Sequence, residues 1–112
     1  MKKKMKPTRY YSKKQEKSVA RNCHGKVTAN SGATKWSKGD VTLADFLIEC
    51  KTTTSPKKSF SIKKEWLDKN EEEAFAMRKT HSALAFQFEE GGDNYYVISE
   101  KQFKEYLELL QS

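Results

Sequence analysis

The stretch Gly39–Thr53, GDVTLADFLIECKTT, constrains the fold more than any other part of the chain. Apolar residues alternate along Val41–Leu43 and Phe46–Lys51, and Ala44-Asp45 separates the two runs, so the pattern predicts two strands joined by a tight turn. If Leu43 faces Phe46, then Val41 faces Ile48 and Asp40 faces Glu49. One face of the hairpin then carries Asp40, Thr42, Leu47, Glu49 and Lys51, and the other carries Val41, Leu43, Phe46, Ile48 and Cys50. Directly opposed residues have Cβ atoms roughly 4.5–5.5 Å apart, so two opposed carboxylates repel unless a proton or cation lies between them. A divalent metal with oxygen ligands is the natural occupant. A lysine beside it suits phosphodiester chemistry. A hairpin whose solvent face simply carries charge has the same spacing, so the surroundings must decide.

Charge is unevenly distributed. Residues 1–64 hold 17 Lys/Arg and four Asp/Glu, net +13, whereas residues 65–112 hold five and 11, net −6. The basic half implies a polyanionic partner, most commonly nucleic acid. Its four acids are Glu16, Asp40, Asp45 and Glu49, and three of them can be gathered at one site, which suggests chemistry as well as binding.

The 112 residues are enough for one domain, whose core draws on six Phe, five Tyr and two Trp. No apolar run approaches the roughly 18 residues of a membrane span, and the basic amino terminus lacks the apolar stretch of a secretory signal. Cys23 and Cys50 both fall on predicted inward faces, as expected of reduced core thiols in a cytosolic protein. His24 and His81 are isolated, and no Cys/His grouping has zinc spacing.

Residues 1–11 read as a flexible basic arm with Lys2, Lys3, Lys4, Lys6 and Arg9, and residues 12–112 as a single domain. Ser12-x-x-Gln15 has the capping-box pattern and predicts a helix start. Glu16 then lines up with Val19, Ala20 and Cys23 at helical spacing, which aims a carboxylate inward or leaves it at the edge of the stripe. Gly25–Thr28 reads as a short strand. Asn30–Gly39 reads as a loop whose Ser31, Thr34, Lys35 and Lys38 can hold phosphate, and Trp36 in it fits packing better than base stacking. A second polar loop, Thr52–Ser61, carries Lys57 and Lys58.

Ser61 is expected to cap a helix running to about Lys79, with Trp66, Leu67, Asn70, Ala74 and Met77 inward and Glu71, Glu72 and Glu73 as a solvated acidic face. Ser82–Phe88 and Tyr95–Ile98 read as strands around Gly91-Gly92. Ser99-x-x-Gln102 is a second capping box, flanked by an Ile98–Phe103 staple, and opens a helix with the stripe Phe103, Tyr106, Leu107 and Leu110. The resulting order, αβββαββα, predicts an α/β or α+β fold with helices around a mixed central sheet of about five strands.

That order, with Glu16 upstream, Ser31-Gly32, Gly39-Asp40 and Glu49-Cys50-Lys51, resembles the PD-(D/E)XK nuclease superfamily, and within it Holliday-junction resolvases of archaeal and phage type. The likeness covers roughly Ser12 to Ile98, and Gly39 stands where the superfamily's name has proline. It implies a restriction-endonuclease-like core and metal-dependent phosphodiester hydrolysis. Asp40, Glu49 and the Cys50 backbone carbonyl would hold Mg²⁺ or Mn²⁺, and Glu16 a second ion or a bound water. Lys51 would orient the attacking water, and Ser31 and Thr52 would contact phosphate. It further implies a homodimer acting on branched DNA such as a four-way junction, in the cytoplasm of a bacterium or a phage-infected host, with no membrane partner. Two other readings stay open: a nuclease of the same fold with a nicking or restriction-type substrate, and a non-catalytic basic nucleic-acid-binding module.

Overall fold

The computed structural model describes residues 8–28 and 40–112, with backbone alone at residues 8 and 9. Its elements run α1 (Thr8–Cys23), β1 (Lys26–Val27), β2 (Asp40–Leu43), β3 (Phe46–Lys51), α2 (Lys64–Ala76), β4 (His81–Phe86), β5 (Tyr95–Val97) and α3 (Glu100–Gln111). The described residues form an α+β fold, with three helices and one five-stranded mixed sheet of order β1-β2-β3-β4-β5.

The hairpin has the register its alternation predicts. Asp40 pairs with Glu49, Val41 with Ile48, Thr42 with Leu47 and Leu43 with Phe46. Ala44, at φ 35°, and Asp45 make the two-residue turn. β3 then pairs with β4 in parallel. A parallel neighbour requires a crossover, which α2 supplies.

Because β3 is central, both of its faces are covered. α1 packs on β1, β2 and β3, and α2 on β3 and β4. On the α1 side, Val19 joins Val41, Ile48, Cys50, Ala83 and Ala85 in the core, with Ala20, Cys23 and Ile98 against it. On the α2 side, Leu47 and Leu84 are fully buried, and α2 buries Ala74. Full burial of such a leucine is worth about 1.5–3 kcal/mol. Asn70 reaches the sheet by donating from Nδ2 to the Ala83 carbonyl at 3.0 Å. α1 approaches β2 closely at Gly25, where an added Cβ would lie 2.8 Å from the Thr42 carbonyl oxygen. Only glycine fits that approach.

Several sequence expectations are corrected. α1 begins at Thr8, so Ser12 lies inside it and does not cap it, and Tyr11 is buried rather than part of an arm. α2 begins at Lys64 behind an uncapped Lys63, not at Ser61, and ends at Ala76. Met77 is exposed, because the helix stops there and Arg78 turns left-handed at φ 59°. β4 ends at Phe86 and β5 at Val97. The Ser99 cap does form, its Oγ accepting from the Gln102 N–H at 3.2 Å. Of the α3 stripe, Phe103, Leu107 and Leu110 are exposed and Tyr106 is half-buried. Cys23 and Cys50 are both free thiols.

Candidate functional site

The site lies at the end of the hairpin away from its turn. Asp40, first residue of β2, is only 5% exposed and stands opposite Glu49. The face they share is therefore no solvent face. Among the described residues no donor is hydrogen-bonded to the Asp40 carboxylate. Burial pushes its pKa up to about 8, helped by the charges of Glu73, Glu49 and Glu16 and opposed by Lys51. At neutral pH this carboxyl therefore tends to hold a proton unless a cation takes the proton's place.

Glu49 is divided between two environments. Its Oε1 lies 3.5 Å from Lys51 Nζ, whereas its Oε2 is buried without a hydrogen-bond partner. Lys51 Nζ also sits 4.4 Å above the Trp66 ring, a cation–π contact from the first turn of α2. The lysine is thus held between the carboxylate and the indole.

Glu16 enters from the opposite side of the sheet. It is 2% exposed, on the α1 face that carries Val19, so its alignment with that stripe does aim it inward. Its negative charge acts on Cys50, where burial first and Glu16 second push the thiol pKa well up. At Asp40 it ranks behind Glu73 and Glu49.

Two residues that sequence reasoning assigned elsewhere belong to this region. Glu73 is not part of a solvated face. α2 runs antiparallel to β3, with Trp66 over Lys51 at one end and Lys79 Nζ on the Ala44 carbonyl at the other. Glu73, beside buried Ala74 and three residues past Asn70, therefore falls above the middle of the hairpin. Partial burial, then the charge of Glu49, raises its pKa. Gln15 is the other. Its Nε2 donates to the carbonyls of Lys51 (2.8 Å) and Ala85 (3.3 Å) and to Asn94 Oδ1 (3.3 Å). This clamps α1 to the ends of β3 and β4 and so fixes where Glu16 lies. The only sequence signal for Glu73 was its place beside Ala74 on the helical stripe. Gln15 gave none beyond its capping pattern.

Among the described residues, no three His, Cys, Asp or Glu side chains stand close enough together to hold an ion. The converging set is the pair Asp40 and Glu49, with Glu73 and Glu16 acting on it through their charge. The pair still fits a divalent cation. It offers an unpartnered buried Glu49 oxygen and the carboxylate of buried Asp40, both hard oxygen ligands.

Of the expected phosphate contacts, the Thr52 hydroxyl donates to Gln87 Oε1 at 3.1 Å. Lys57 and Lys58 are exposed, and the Lys57 N–H donates to the Phe88 carbonyl at 2.8 Å, which keeps their loop at the Lys51 end of the sheet. Ser31, Gly32, Thr34, Lys35, Trp36, Lys38, Gly39, Lys2, Lys3, Lys4, Lys6 and the Arg9 side chain lie outside the described residues. The groove of about 810 Å³ between α2 and α3, lined by Phe75, His81 and Gln102, includes none of the site residues. Among the described residues no helix is long and apolar enough to cross a membrane.

Comparison of the chain with protein-family models, with curated proteins and with solved structures returned no match.

Proposed function

We propose that this chain is a metal-dependent DNA endonuclease built on a restriction-endonuclease-like core, with branched DNA such as a four-way junction as its substrate. The observation that carries the reading is the in-register pairing of buried Asp40 with Glu49, with Lys51 two residues on and a Glu49 oxygen left without a partner. Asp40, Glu49 and the Cys50 carbonyl would hold Mg²⁺ or Mn²⁺, which when bound acidifies water and polarises a phosphoryl oxygen.

The chain's own residues do the rest. Lys51, held beside Glu49 and over the Trp66 ring, orients the attacking water and offsets negative charge developing on the phosphate. Glu16 positions a water from the α1 side. Lys57, Lys58 and the other lysines of the basic half draw the DNA backbone to this end of the sheet, with Thr52 beside it.

The test is cleavage of a four-way junction beside matched duplex, nicked and single-stranded DNA, with Mg²⁺ and with chelator. Chelator-sensitive cutting that prefers the junction is expected, lost in Asp40→Asn. Equal cutting of duplex would retain the nuclease and remove the junction preference. Salt-dependent binding without any cutting would leave a basic nucleic-acid-binding module.

A further inference from the structure

At the open end of the sheet, Lys51 of β3, Phe86 of β4 and Tyr95 of β5 pair in register and so share the α2 face. They make one row across three strands, a span of about 10 Å. Aromatic rings gather around its outer half. The Phe86 ring lies 5.8 Å from that of Tyr95, 5.4 Å from Phe88 and 5.3 Å from Phe60, and Phe88 lies 5.6 Å from Tyr95. Phe60, Phe86 and Phe88 are half-buried, and Tyr95, on the edge strand, is 49% exposed. Lysines interleave with these rings. The segment Lys51–Lys64 has five lysines and no acid. Its Lys57 N–H is fastened to the Phe88 carbonyl at 2.8 Å, and Phe60, three residues on, reaches Phe86. Lys51, Lys63 and Lys64 each have a carboxylate within 4.0 Å. Lys57 and Lys58 are exposed and form no ion pair among the described residues, so they flank the rings with uncompensated positive charge.

We propose that this face is a stacking surface for an unpaired DNA strand, whose bases lie on Tyr95 and Phe60 and whose phosphates follow Lys57 and Lys58. The chemistry of the surface selects that occupant. Exposed rings offer π faces that any base matches, and adjacent lysines match the backbone; together they are how single strands are held without sequence preference. An apolar partner would leave the lysines without counter-charge. A duplex keeps its bases stacked on one another, out of reach of the rings. The turn after Phe88 carries Glu89, Glu90 and Asp93, so the phosphates keep to the lysine segment. The row brings the bound strand alongside Lys51, and so to the edge of the Asp40–Glu49 pair. That the strand is DNA rests on the nuclease reading; the stacking surface does not, and it needs neither metal nor cleavage.

The test is fluorescence anisotropy of labelled DNA with the full chain in chelator, so that no strand is cut. The probes are an oligothymidylate of about 12 nucleotides, an abasic strand of equal length and charge, and a duplex of matched length. Wild type should bind oligothymidylate at least about tenfold more tightly than the abasic strand. Tyr95→Leu and Phe60→Leu should each lower oligothymidylate affinity by about tenfold, with unchanged circular dichroism, and leave abasic and duplex binding as they were. Tyr95→Phe, which keeps the ring, should bind like wild type. The double variant Lys57→Ala/Lys58→Ala should weaken both single strands and flatten the slope of log K against log[salt] by about 1.4. Equal binding of oligothymidylate and the abasic strand by wild type would overturn the proposal whatever the variants do. So would a folded Tyr95→Leu that binds oligothymidylate like wild type, or one that loses duplex and abasic binding to the same degree. Absence of metal-dependent cutting, which would sink the nuclease reading, leaves these binding results standing.

Discussion

Asp40 and Asp45 lie five residues apart on one hairpin and are held in opposite ways. Asp45, at the turn, accepts from the Thr80 N–H at 2.9 Å, and its contacts with Thr80 hold its carboxyl below the usual range. Its backbone carbonyl accepts from the His81 N–H at 2.9 Å as well. Asp40, at the open end, is buried, faces Glu49 and has its pKa pushed up to about 8. The first carboxylate is satisfied by its own fold and has a structural task, fastening the hairpin to the start of β4. The second is left in want of a proton or a cation by that same fold. Identical side chains on one hairpin are thus separated by what surrounds them, and the proposed function gives the chemistry to the perturbed one.

The largest effect should come from the open end. Asp40→Asn, Glu49→Gln and Lys51→Ala should each lower single-turnover DNA cleavage by at least about 100-fold. Circular dichroism and a cooperative melt should be retained in all three. Near-wild-type cutting by any of them would remove the distinction drawn between Asp40 and Asp45.

Stability without metal sharpens the comparison. Because the folded-state pKa of Asp40 lies above its ordinary value, the native state binds the proton more tightly than the unfolded chain does. The metal-free protein should therefore lose stability as pH rises from about 4 to about 8, by on the order of a few kcal/mol. Asp40→Asn should flatten that profile and be the more stable protein at pH 8. Added Mg²⁺ should displace the proton and recover stability at the alkaline end. Urea melts at several pH values, with and without metal, read all three effects. A pH-independent wild type would refute the buried, proton-hungry Asp40.

Gln15→Leu should cost about 1–2 kcal/mol, because it withdraws a donor from two strand-end carbonyls. The loss is tempered by the Gln15 Oε1, which is buried without a partner. An unchanged urea midpoint would show that α1 docks without this clamp.

The smallest effect belongs to the turn. Asp45→Ala should lower the melting temperature slightly and leave cleavage untouched. The contribution of Asp45 is present above its ordinary pKa and fades as the pH falls through the lowered one, a trend opposite in sign to that of Asp40. Loss of cleavage in this variant would show that the two ends of the hairpin are not independent.

How much of this was legible in the sequence depended on the physics of each element. The hairpin register was readable because a strand's period of two leaves one pairing that puts Val41, Ile48 and Cys50 together. Helix starts were harder, as two near-identical motifs demonstrate. Ser12-x-x-Gln15 and Ser99-x-x-Gln102 have the same capping pattern, yet only Ser99 caps. Both glutamines are instead anchored in the sheet, Gln15 on the Lys51 and Ala85 carbonyls and Gln102 on the Ser82 N–H. Upstream of Ser12 the chain has Tyr11 to bury, so the helix continues back to Thr8. Glu73 was hidden for another reason. In a run of three glutamates, only the angle at which α2 lies on the sheet determines which one faces inward, and that angle is set by tertiary packing.

The contact between Lys51 and Trp66 has a consequence for binding entropy. A lysine side chain gives up as much as about 1.5–2 kcal/mol of rotamer freedom when it is fixed. With its ammonium 4.4 Å above the indole and 3.5 Å from Glu49, Lys51 gives up much of that freedom as the chain folds, before any ligand arrives. On the proposed nuclease reading, an incoming phosphate would meet a cation already in place and need not order it. By this argument Trp66 contributes to the encounter without touching the phosphate. Calorimetry of Trp66→Leu should then show a less favourable binding entropy, and an unchanged entropy would assign the indole to packing alone.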